Sequence, residues 1–81
     1  MTLTLAGNNN YGKPRQDFAN KVGESTDDEF VKIAEQYIWL SAYASNNPRS
    51  DYHWMADACY DEAVARGKLG LYERAWKIAA S

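Results

Sequence analysis

The sequence predicts an all-α protein: a compact bundle of three to four helices with an irregular N-terminal arm. Three observations carry that reading. Thr26 and Glu29 stand at the Thr-x-x-Glu spacing of a capping box, where two side chains satisfy backbone N–H groups that a helix start leaves unpaired. Apolar residues recur at helical spacing in the segments that follow residues 26, 50 and 68. Between those segments stand Asn46-Asn47-Pro48 and Arg66-Gly67, which end helices.

Residues 1–12, MTLTLAGNNNYG, have a different character. Thr2-Leu3-Thr4-Leu5 alternates polar and apolar as a short strand does, but the chain offers it no second strand. Gly7, the run Asn8, Asn9, Asn10, and Gly12 then interrupt regular backbone. The expectation is a flexible or partner-bound arm over 1–12, followed by one helical domain over 13–81.

The first helix is expected over 14–22. Pro14 suits an opening turn that needs no N–H, Phe18 and Val22 share a face, and Gly23 ends it. The second spans 27–45. Asp27 and Asp28 complement the positive end of its dipole, and Phe30, Ile33, Ala34, Tyr37, Leu40, Ser41 and Ala44 line one face. Ile38, Trp39, Ala42 and Tyr43 widen the apolar surface beyond a single stripe, which implies a central helix or a second covered face.

The third helix spans 49–66, capped by Asn47 or Ser50, with Tyr52, Met55, Ala56, Cys59, Ala63 and Tyr60 inward. A left-handed Gly67 closes it. The fourth, over 69–79, places Leu69, Tyr72, Ala75, Trp76 and Ala79 on one face, and its short connection implies an antiparallel hairpin. The stretch from Ala65 to Trp76 resembles a tetratricopeptide unit in its glycine turn and its aromatic-and-alanine helix. The preceding helix lacks that repeat's Leu-Gly and Tyr positions, and there is no second copy where about three are needed. The resemblance implies hairpin packing and nothing more.

Composition narrows the function classes. The chain has 81 residues, enough for one domain with a marginal core, so self-association, as in a homodimer, or a partner is the expected source of extra stability. Cys59 is the only cysteine and His53 the only histidine, which excludes an intrachain disulfide and a thiolate-rich zinc site. A lone cysteine suits a reducing compartment. A net charge of −2 lacks the basic excess of a phosphate binder. No apolar run reaches membrane-spanning length, and Met1 to Ala6 lacks a signal-peptide core. The expected location is cytoplasmic, with no membrane and no direct nucleic-acid contact.

Two groupings invite a chemical reading. His53, Asp57 and Asp61 recur every four residues, a spacing that can bring an imidazole and two carboxylates to one cation. With no further ligands in view, a solvated helix face is the simpler account, and no metal is assigned. Cys59 falls among Met55, Ala56 and Ala63, the setting of a buried structural thiol. No catalytic residue or cofactor follows, and an enzyme is not expected.

Protein binding is the better-supported class. The third helix carries Asp51, Asp57, Asp61 and Glu62 against Arg66 alone, an acidic face suited to a basic surface on a larger cytosolic protein. Trp39, Tyr43 and Trp54 fit the apolar stripes least well, which makes them candidate anchors. The expected contact residues are Trp54, Asp57, Asp61, Glu62, Trp39 and Tyr43. In size and composition the chain resembles small acidic proteins of phages and mobile elements that block host nucleases or defence complexes. A self-assembling helical module ranks second. A helix-turn-helix DNA regulator ranks third, since Arg74 is nearly alone as a base-reading side chain on the last helix.

Overall fold

The computed structural model describes residues 3–81 and contains four helices: α1 (Gln16–Gly23), α2 (Asp27–Tyr43), α3 (Asp51–Ala65) and α4 (Leu69–Ala80). The all-α class is therefore as the periodicity indicates. Among the described residues there is no strand, only an isolated bridge between Asn8 and Pro14. Thr2, part of the alternating segment, lies outside the described residues.

Local chemistry sets the helix ends. Thr26 N donates to Glu29 Oε1 at 2.8 Å, and Glu29 N donates to Thr26 Oγ1 at 3.2 Å, completing the capping box of α2. Of the two caps open to α3, Ser50 is used. Asn47 is occupied by a preceding turn, its carbonyl accepting from Ser50 N at 3.1 Å, while Ser50 Oγ accepts from Tyr52 N at 3.2 Å. At the far end Gly67 takes φ 68°, and Lys68 N and Gly67 N donate to the Ala63 and Val64 carbonyls, each at 2.9 Å. This Schellman pairing satisfies carbonyls that the helix end would strand. α1 begins later than expected, because Pro14 is engaged with Asn8 and Arg15 N donates to the Gly7 carbonyl at 3.1 Å.

The core forms where α2 crosses the other helices. Phe18 and Val22 from α1 meet Phe30, Val31 and Ala34 from α2. Ala58, Cys59, Ala63 and Ala75 close it from α3 and α4, and their small side chains permit close helix approach. Phe18 sets its ring edge on Tyr37 at 5.0 Å and on Trp54 at 5.6 Å. α4 runs alongside α2 in the same direction. Lys68 pairs with Asp27 at 2.7 Å at one end, and Ile78 and Ala79 lie beside Trp39 and Leu40 at the other. The fourth helix rests mainly on α2 and less on its hairpin neighbour α3. Of its expected inner stripe only Ala75 is fully buried, and Leu69 and Trp76 are exposed.

The described residues of the arm make hydrogen bonds to the helical domain. Leu5 N donates to Gln16 Oε1 at 2.8 Å, and Gln16 Nε2 donates back to the Leu3 carbonyl at 2.7 Å. Asn10 N reaches both Asp51 carboxylate oxygens at 3.1 Å, and its amide donates to the Arg49 carbonyl at 2.7 Å. Asn9 Oδ1 accepts from Tyr11 N and Lys13 N at 2.9 and 3.0 Å, closing the turn between Gly7 and Gly12. The asparagines break regular structure and then supply the bonds that replace it.

The principal extents are 30 × 29 × 16 Å, a slab little more than one helix layer thick. Each helix therefore keeps an outward face. Among the described residues no helix is long and apolar enough to cross a membrane.

Candidate protein-docking surface

α3 carries most of the expected contact residues, and its geometry divides them. At 100° per residue, Asp57, Tyr60, Asp61 and Val64 point away from the core, while Ala58, Cys59, Glu62 and Ala63 point into it. Asp57 and Asp61 border a depression of about 250 Å³, closed on its far side by Thr4, Leu5 and Ala6 of the arm. Arg15 and Trp54 also line it.

Glu62 is a correction to the expected acidic face, being 1% exposed. Its Oε2 pairs with Arg66 Nε at 2.6 Å, one helical turn along. Arg66 Nη1 reaches Asp27 at 2.9 Å, and Nη2 donates to the Val22 and Ser25 carbonyls at 3.0 and 2.8 Å. The guanidinium also lies 4.9 Å from the Phe30 ring centre. This cation bolts the α1–α2 junction to the end of α3. Among the described residues Glu62 Oε1 has no hydrogen-bond partner, which ties Glu62 further to the Arg66 cation. Lys68 and then Arg66 hold the Asp27 carboxyl below the usual carboxylate range.

Trp54 is likewise part of the fold more than a free anchor. It is half-buried against Phe18, its Nε1 donates to Asp51 at 2.8 Å, and the Arg15 guanidinium lies 4.9 Å from its ring centre. His53 leaves the solvated face expected for it. Nδ1 lies 2.7 Å from Ser41 Oγ, and Nε2 lies 3.2 and 2.9 Å from the Ala44 and Asn47 carbonyls. Carbonyls only accept, so Nε2 carries the hydrogen, and the ring caps the end of α2. Cys59 is buried, and burial followed by the charge of Glu62 pushes its thiol up to about 12, a pKa without nucleophilic use near neutrality. Among the described residues no group of three or more His, Cys, Asp or Glu is placed to hold a metal ion.

Aromatic groups expected inside, Tyr60 and Trp76, are exposed instead. Tyr60 and Val64 sit one turn apart beside Asp57 and Asp61, both partly exposed. Tyr60 meets Tyr72 of α4 edge-on at 5.3 Å, and Trp76, one turn beyond Tyr72, is exposed. The outer surface thus grades from carboxylates on α3 to aromatic and aliphatic groups along the α3–α4 seam. The signal for it was the i, i+4 spacing of Tyr60–Val64 and Tyr72–Trp76. Trp39 and Tyr43, also expected at the contact, belong to α2, where Trp39 lines a separate groove and Tyr43 stacks on it.

No protein-family model, no curated protein and no solved structure matches the chain.

Proposed function

We propose that the chain is a non-enzymatic protein-binding module that sets the outer face of α3 on a basic surface of a larger cytosolic protein. One observation carries this reading: exposed Asp57 and Asp61 share a face with partly exposed Tyr60, Val64 and, across the seam, Trp76. Carboxylates at the rim of a contact steer encounter, and aromatic groups at its centre slow escape. The net charge of −2 and the small size support a finer version. In it, the module is an inhibitor or accessory that fills a basic groove otherwise occupied by nucleic acid.

Binding kinetics test this directly, using the partner captured from the source cell and measured at two salt concentrations. Asp57→Lys with Asp61→Lys slows association and flattens its salt dependence, while Trp76→Ala mainly speeds dissociation, by roughly tenfold or more if it is an anchor. A DNA-binding regulator predicts the opposite sign for the charge reversal, since added lysines strengthen binding to duplex. Unchanged partner kinetics in both variants, with the helical circular dichroism intact, overturns the α3 assignment.

A further inference from the structure

A second apolar surface lies away from α3. Trp39 and Tyr43 of α2 stack with ring centres 5.4 Å apart and planes 13° from parallel, yet they remain 52% and 74% exposed. Ile78 of α4 borders the same groove, together with Glu35, Gln36 and Leu40. Exposed apolar clusters of this kind mark contact surfaces.

The stripe that carries the stack is complementary to itself. Lys32, Glu35, Gln36, Trp39 and Tyr43 follow one another along the outer side of α2 at helical spacing. Lys32 and Trp39 are two turns apart. Two copies of α2 laid antiparallel, with a dyad between residues 35 and 36, bring each Lys32 over the other copy's Trp39 and each Asp28 to the other's Tyr43. An ammonium over an indole is attractive, and the dyad makes the contact twice. The chain already uses cation-on-ring contacts internally, Arg15 on Trp54 and Arg66 on Phe30, each at 4.9 Å. From Asp28 to Tyr43 the stripe holds one cation, Lys32, and two carboxylates, Asp28 and Glu35; the dyad sets each Asp28 opposite a Tyr43 and each Glu35 opposite a Gln36, so no carboxylate faces its own image. Pairing through α3 would instead oppose Asp57 and Asp61 with their own images.

The geometry points to a twofold self-association of this chain through the Asp28–Tyr43 stripe of α2. It stands independently of the α3 reading and leaves both α3 faces free, so the dimer presents two docking surfaces. A stripe about 22 Å long and about 11 Å wide falls well short of the roughly 800 Å² per partner of a standard interface. The dimer is therefore a weak one.

Dilution of the ¹⁵N-labelled native protein from millimolar to low micromolar tests this, because its three tryptophans report separately through their indole N–H signals. The Trp39 signal moves with concentration; that of Trp54, held by Asp51, and that of Trp76 stay fixed. Sedimentation in parallel gives a monomer–dimer equilibrium. Trp39→Ala raises its dissociation constant roughly tenfold or more, Lys32→Gln raises it about threefold to tenfold, and Lys32→Arg leaves it near the native value. Lys32 is exposed, so its variants keep the fold. A monomer at millimolar concentration overturns the proposal, as does association that moves only Trp76 or that ignores Lys32→Gln.

Discussion

Asp61 and Glu62 are neighbours in the chain and opposites in environment. Asp61 stands in solvent beside the arm, whereas Glu62 lies under α3 on the guanidinium of Arg66. One residue step along a helix turns a side chain by 100°, enough to move a carboxylate from a solvent-facing surface to an interior that holds the bundle together. The inner acid is tied to one cation, and its loss is structural. Among the described residues the outer acids, Asp57 and Asp61, make no ion pair, and both are exposed.

Arg66→Met breaks this contrast most severely. It strands the Glu62 carboxylate in the interior and removes the donor to the Val22 and Ser25 carbonyls. Breaking a buried pair from one side costs about 3–5 kcal/mol, a large part of the stability of a small domain. Urea denaturation should show that loss. Adding Glu62→Leu to Arg66→Met should recover part of it, because the orphaned charge is then gone; no recovery would mean that the backbone contacts of Arg66 outweigh its ion pair.

Acid titration gives a smaller effect of known sign. Asp27 is held below its ordinary 3.8 by Lys68 and Arg66, and Glu29 below 4.5 by the Thr26 backbone N–H and hydroxyl. Each binds protons more weakly folded than unfolded. Their stabilisation is thus complete above the unfolded values and is lost as pH falls through the folded ones. The melting temperature should hold steady near neutrality and begin to drop below about pH 5. Asp27→Asn should lower the neutral plateau and flatten the acid limb; an unchanged limb would remove Asp27 from this account.

On the outer face the expected stability change is smallest. Asp57→Asn with Asp61→Asn should alter unfolding free energy by no more than about 0.5 kcal/mol per site, since neither carboxylate has an ion-pair partner among the described residues. Thermal melts of the double variant measure this. A loss of several kcal/mol would show that the outer acids are structural after all, and would dissolve the distinction between the two faces.

The helices were legible because their signals are local. The capping box spans Thr26 to Glu29, the Schellman turn spans Ala63 to Lys68, and each needs only its own few residues. The pair Glu62–Arg66 was also within reach, at an i, i+4 spacing that stabilises helices even on the surface. What hid its burial was Asp27, Val22 and Ser25, some forty positions earlier, which no periodicity connects to Arg66. The contacts of the arm were hidden for the same reason, since Asn10 finds Asp51 far along the chain. Trp54 and His53 read as surface groups until Phe18, Arg15 and the end of α2 closed around them.

Residue order alone therefore settles the helical class, the three breaks between helices, the capping box of α2 and the pool of acids and aromatics from which any docking face is drawn. These rest on backbone hydrogen bonding and side-chain spacing within a turn or two, where no distant partner has a vote. Which acid is buried, which tryptophan packs, and where the arm lies follow only once four helices meet in a slab 16 Å thick. Burial is a property of what comes to lie opposite a side chain. For Glu62, Trp54 and Asn10 that neighbour is supplied by another part of the fold.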